Sequence, residues 1–163
     1  MATEQELLAA RIICRAVLPV IKVMLQDDAK TKQAFANVTA VVQFKANDPA
    51  GPLGAHLKFD KGEFEVVQEL TDQFDIEFSF STVAKFIDMF KGKPVVPKIK
   101  GWTNVGLLIK VFGILLGMKI LQPNAAPKTP EKKYLKVKMT LYMVSTALSQ
   151  LNKGGDPDMT KFT

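Results

Sequence analysis

The spacing of apolar positions changes period several times along the chain, and each change predicts a new element. Leu7, Leu8, Ile12, Ile13, Val17 and Val20 cover the wide side of a helix whose remaining stripe holds Glu4, Arg11, Arg15 and Lys22. Thr3 and Glu6 form a capping box at its start. Pro19 lacks an amide hydrogen and predicts a kink or a division of this helix. Asp27 and Asp28 then open a short helix over 30–36. From Val38 the period becomes two. Val38, Ala40, Val42, Phe44 and Ala46 alternate with polar residues, the mark of a half-buried strand. A turn-rich loop over 47–52 leads to a second strand built on Leu53, Ala55, Leu57 and Phe59. Asp60, Lys61 and Gly62 make a tight hairpin turn, and Phe64 and Val66 begin the return. Phe74, Ile76, Phe78 and Phe80 alternate in a fourth strand with a strongly aromatic face. Four strands with short links predict an antiparallel meander whose polar face meets water.

Helical spacing then returns. Ser81 or Thr82 caps a helix in which Val83, Phe86, Ile87 and Phe90 share one stripe. Gly92 and Pro94 end it, and Pro97-Lys98-Ile99-Lys100-Gly101 reads as a short strand. The helix predicted over 103–121 is apolar on nearly every side, so it must be buried all round or face something apolar besides the sheet. Pro123, Pro127 and Pro130 mark a linker over 122–130. A last helix over 131–151 starts basic and takes Tyr134, Leu141, Met143, Leu148 and Leu151 as its apolar positions, with Gly154-Gly155-Asp156-Pro157 ending it. The chain is expected to be one domain: helices over 1–36, a core over 37–121, the linker, and a helix and tail over 131–163. The tail is expected to continue beyond Thr163. The fold class expected is α+β, with a mostly antiparallel sheet carrying helices on one face and added helices at both ends.

Composition narrows the chemistry. The 163 residues are 47% hydrophobic and 23% charged, which excludes wholesale disorder. Phe occurs 11 times against 1 Trp and 2 Tyr, favouring greasy interior over a polar active site. One Cys and one His leave no disulfide framework, Cys-based zinc cage or two-His metal site. Nucleotide-binding glycine loops and the nucleophile elbow are missing. Cys14 lies among Ile12, Ile13 and Val17 and reads as an inert buried thiol. His56, Asp75 and Glu77 fall on outward strand positions and read as exposed. No catalytic residue, metal or cofactor is expected.

Charge and targeting add little more. Residues 1–84 carry a net −4, whereas residues 85–138 carry 12 Lys against Asp88 and Glu131. Such a block suits an anionic partner, although a solvated face accounts for it equally. The absence of Arg from it weighs against nucleic acid. Lys110 and Lys119 interrupt the most apolar window, over 105–121, leaving it short of the roughly 20 residues of a membrane span. Gly113 and Gly117 are read as a close-packing pair. The acidic start Thr3-Glu4-Gln5-Glu6 lacks a secretory basic region, and a cytoplasmic location is expected.

The run from Phe78 through Val83 into Phe86-Ile87-Asp88-Met89-Phe90-Lys91-Gly92-Lys93-Pro94, followed by Pro97-Lys98-Ile99-Lys100-Gly101, resembles the sterol-carrier-protein type-2 domain in its bacterial-type, single-domain form. The resemblance covers roughly residues 35–121. It implies a five-stranded sheet under helices and non-enzymatic binding or transfer of a fatty acid, acyl-CoA, phospholipid or sterol-like lipid. Carried over by position, Phe78, Phe80, Val83, Phe86 and Phe90 would line a tunnel opposite Leu107, Leu108, Val111, Phe112 and Leu115, with Trp102 at the start of the tunnel helix. Lys91, Lys93, Lys98 and Lys100 would meet an anionic membrane surface transiently. The long first helix and the helix over 131–151 depart from the family pattern and point to homo-oligomer formation. The alternative is a ligand-free accessory or protein-interaction module of a lipid-handling system.

Overall fold

The computed structural model describes residues 1–101 and 103–152, with backbone alone at 150–152. The predicted end of the last helix at 154–157 lies outside the described residues. Strands β1 (Thr39–Ala46), β2 (Leu53–Asp60), β3 (Glu63–Val67), β4 (Ile76–Phe80) and β5 (Lys98–Lys100) form one sheet in the order β3-β2-β1-β4-β5. Three pairs are antiparallel, and β1 and β4 run parallel. The two-residue link between β2 and β3 places both Lys61 (φ 48°) and Gly62 (φ 94°) in left-handed geometry, which matches the twist of a hairpin.

The meander therefore stops after three strands. Residues 68–75 cross the outer face of the sheet and deliver β4 beside β1. This corrects the expectation of a wet polar face. Gln43, His56 and Glu77 lie in one cross-strand row beneath that crossover and are buried. Thr71 and Glu69 carbonyls take their hydrogen bonds, Gln43 Nε2 to Thr71 O at 3.1 Å and His56 Nδ1 to Glu69 O at 2.7 Å. Buried polar groups demand such partners, so the link has to close over them.

On the inner face, Val42, Phe44, Leu57, Ile76, Phe78 and Phe80 meet the helices. The first helical segment is divided where Pro19 predicts. Helix α1 (Glu4–Ile12), held by the Thr3–Glu6 capping box, runs into a π-turn (Ile13–Val17), a 3-10 turn (Leu18–Val20) and helix α2 (Ile21–Asp27). Pro19 offers no donor, so the ladder loosens before it and tightens across it. Asp28 caps α3 (Ala29–Phe35) and Thr82 caps α4 (Val83–Phe90). Helix α5 (Val105–Met118) ends in a 3-10 turn (Lys119–Leu121), and α6 (Pro130–Asn152) closes the described chain. Of the two glycines read as a packing pair, a side chain at Gly117 would strike Met24, whereas Gly113 faces open space. Among the described residues no helix is long and apolar enough to cross a membrane.

Candidate functional site

A chain of aromatic contacts runs from the sheet to the surface. Phe80 meets Phe86 at 5.4 Å between ring centroids, Phe86 meets Phe90 at 5.2 Å, and Phe90 meets Phe44 at 5.9 Å. Phe44 stacks on Phe78 at 5.2 Å, and Phe78 meets Phe112 edge-on at 5.9 Å. The buried rings occupy the space between sheet and helices. The two rings that are only partly buried, Phe90 and Phe112, face a cleft.

The cleft encloses about 420 Å³, within the roughly 300–1,000 Å³ of small-molecule sites. Met89 and Phe90 of the last turn of α4 form one wall, and Phe112, Leu115 and Leu116 of α5 form the other. Val17 of the π-turn and Leu121 contribute apolar surface, and the turn through Gly92, Pro94 and Val95 covers one side. Gly92 ends α4 with φ 81°, a conformation that suits glycine and turns the chain sharply enough to bring Val95 over the cleft. Gln122 Nε2 donates to Phe90 O at 2.7 Å and pins the end of α4 to the segment after α5. Among the described residues, the cationic groups on the lining are Lys93 and Lys119. Lys93 also pairs with Asp88 at 3.2 Å. The arrangement suits a ligand with an apolar body and an anionic or polar end.

The residues expected to line a tunnel divide into two sets. Phe90, Phe112 and Leu115 line the cleft. Phe78, Phe80, Val83, Phe86, Leu107 and Val111 are buried in the core, and Leu108 is half-buried against it. Trp102 lies outside the described residues. Val17, Met89, Val95, Leu116, Met118, Lys119, Leu121 and Gln122 also line it and were not singled out from sequence as site residues. Leu116 carried the clearest signal, since it follows Phe112 by one helical turn. Lys91, Lys93, Lys98 and Lys100 are exposed, and Val96 between them is 95% exposed. Lys100 Nζ lies 3.6 Å from Glu77 Oε1. On α5 the exposed residues Val105, Ile109, Phe112 and Leu116 continue the apolar surface away from the cleft.

Among the described residues that line the cleft, none form a catalytic constellation. Cys14 is buried in the π-turn and is not on the cleft lining, and burial pushes its thiol up to about 12, with Arg15 pulling the other way. Among the described residues no group of His, Cys, Asp and Glu is placed to hold a metal ion.

No protein-family model and no curated protein matches the chain. Solved structures similar to it include two sterol carrier protein domains. The solution structure of the sterol carrier protein domain 2 of Helicoverpa armigera is 17% identical over 71% of this chain and 93% of that chain, with a TM-score of 0.46. The crystal structure of sterol carrier protein 2 is 11% identical over 66% of this chain and 91% of that chain, with a TM-score of 0.44.

Proposed function

We propose that the chain binds, without catalysis, a lipid with an apolar tail and an anionic or polar head, and carries it between surfaces. The observation that carries this reading is the cleft: apolar walls from Phe90, Phe112, Leu115 and Leu116, with Lys93 and Lys119 as its cations. Fatty acid, acyl-CoA and phospholipid share this chemistry, and a sterol-like ligand fits the apolar part. The exposed apolar face of α5 runs into the cleft through Phe112 and Leu116, so a lipid surface touching that face would meet the opening directly. Exposed Val96 among Lys91, Lys93 and Lys98 supplies an apolar tip with cations around it, suited to transient contact with anionic headgroups.

A fluorescent fatty-acid analogue titrated into the purified protein tests the reading. Saturable binding is expected, and Phe112→Asp is expected to abolish it with the circular dichroism spectrum unchanged. Absence of binding by the unsubstituted chain across fatty acids, acyl-CoA, phospholipids and sterols would sink the carrier reading. The second reading, a ligand-free interaction module, is favoured by the filled aromatic space between sheet and helices. Native mass spectrometry of the purified protein separates the two, since only a carrier brings a lipid with it.

A further inference from the structure

Helix α6 is apolar on two opposite faces. One face packs on the body of the protein: Met139 is fully buried, Leu135, Tyr142 and Met143 pack beside it, and Lys138 pairs with Asp27 of α2. The other face presents Tyr134, Val137, Leu141, Val144 and Leu148, each between 48% and 64% exposed. These five follow one another at intervals of three, four, three and four residues, and the sequence places Leu151 three further on. That is the 3.5-residue repeat of a two-stranded coiled coil, kept over the whole helix. A surface helix needs one apolar stripe, so the second requires a partner.

We propose that this stripe pairs with the same stripe of a second copy of the chain, the two α6 helices running antiparallel. Three observations select this occupant. None of the five residues lines the cleft, so a ligand there does not cover them. The lysines of α6, Lys132, Lys133, Lys136 and Lys138, all lie in its first nine residues, and residues 139–152 carry no charge. A membrane surface would therefore attract one end alone. Lys136 Nζ is moreover turned to the Gln122 and Ala125 carbonyls, at 3.3 and 2.7 Å. Five side chains exposed by about half present on the order of 500 Å² per copy, so a pair reaches the roughly 1,000 Å² that a specific interface needs.

The same lysines set the orientation. In a parallel pair the two basic ends, each carrying Lys132, Lys133 and Lys136, lie side by side, and position 133 of one helix flanks position 138 of the other, whose lysine already has its carboxylate in Asp27. In an antiparallel pair the flanking positions become 133 with 147, 140 with 140, and 145 with 145. Those bring Lys133 to Ala147, Thr140 to Thr140 and Ser145 to Ser145, with no like charges opposed. The two basic ends then lie about 25 Å apart at 1.5 Å per residue, beyond the roughly 8–10 Å screening length of physiological salt.

Sedimentation velocity on the full chain, across micromolar concentrations, is expected to give twice the chain mass. The pair of substitutions Leu141→Glu and Val144→Glu, both at exposed positions, is expected to weaken association at least a hundredfold. It should leave the circular dichroism spectrum and fatty-acid analogue binding unchanged, which keeps this inference separate from the cleft reading. Orientation is read by disulfide trapping under mild oxidation: Ser145→Cys is expected to cross-link copies readily, and Leu141→Cys is not. A monomer at all concentrations would overturn the proposal. So would a dimer indifferent to the double substitution, or one dissolved instead by Ile109→Glu on α5. Efficient cross-linking by Leu141→Cys alone would overturn the antiparallel arrangement.

Discussion

Gln43 on β1 donates through Nε2 to Glu77 Oε2 on β4 at 2.6 Å, and both side chains are buried on the outer face of the sheet. The Gln43 amide is fully committed: Nε2 also donates to Thr71 O, and Oε1 accepts from Thr71 N at 2.7 Å. This one side chain therefore ties the parallel pair β1–β4 to the crossover above it. Glu77 Oε1 has no hydrogen bond and faces Lys100 Nζ at 3.6 Å. Gln43→Leu is expected to lower the unfolding free energy by about 2–4 kcal/mol, because it strands a buried carboxylate and two backbone groups of Thr71. Glu77→Gln is expected to lose about 1 kcal/mol or less, since it removes the buried charge and keeps an acceptor. Urea midpoints at pH 7 measure both. A larger loss from Glu77→Gln would mean that Lys100, not Gln43, sustains the carboxylate.

The strands were legible because period two needs nothing beyond neighbouring residues. Val42, Phe44, Leu57 and Phe78 alternate as half-buried strands should, and each faces the core. What failed was the inference from polar to wet. Gln43, His56 and Glu77 are covered by a crossover whose path depends on partners more than ten residues away, and local alternation contains no such distance. Leu70 and Phe74 within that link were the available sign that it was not solvent loop. The cleft was partly legible for a related reason. Phe90 and Phe112 could be read from helix stripes, but Gly92 and Pro94 read as terminators and Gln122 as linker, and only the folded chain makes them walls.

Two phenylalanines from the same predicted tunnel are expected to behave differently. Phe86 is fully buried between Phe80 and Phe90, and Phe86→Ala is expected to remove about 3–5 kcal/mol of stability. Phe112 is 40% exposed and among the described residues touches one ring, so Phe112→Ala should lose about 1–2 kcal/mol. Fatty-acid analogue affinity should show the opposite emphasis, falling about tenfold for Phe112→Ala, as expected when roughly 1.4 kcal/mol of apolar contact is lost. Chemical unfolding and fluorescence titration on the same preparations check the pair. Equal affinity in Phe112→Ala and the parent would move the ligand out of this cleft.

Cys14 supplies a pH test. Its thiol is neutral when protonated and is held up at about 12 in the folded chain by burial, against an ordinary value of 9.0. A raised folded value means that the contribution to stability is complete below pH 9 and is lost as pH rises from 9 toward 12. The unfolded chain releases its proton first, so the slope approaches about 1.4 kcal/mol per pH unit in that window. The stability difference between the parent and Cys14→Ala should therefore stay constant from pH 6 to 8 and shrink above pH 9. Labelling by a thiol reagent at pH 8 should proceed only as fast as the protein opens. Rapid labelling of the folded protein would show that the π-turn exposes Cys14 in solution.

The basic surface divides by the partners each lysine already has. Lys93 is drawn to Asp88 and Lys100 to Glu77. Among the described residues, Lys91 and Lys98 have no such carboxylate, and exposed Val96 lies between them in the chain. An unpaired surface lysine close to anionic lipid contributes about 1 kcal/mol, whereas one already paired must first give up its partner. Lys91→Ala and Lys98→Ala are each expected to weaken binding to phosphatidylserine-containing vesicles about fivefold. Lys93→Ala and Lys100→Ala should do less. Val96→Asp should weaken it too, and neutral vesicles should bind poorly throughout. Co-sedimentation at 50 and 300 mM salt reads the electrostatic part, which should largely vanish at the higher concentration as screening shortens to a few ångströms. Salt-independent binding, or equal effects from all four lysines, would show that this face meets lipid through apolar contact alone, and the exposed stripe of Val105, Ile109 and Leu116 would then be the place to substitute.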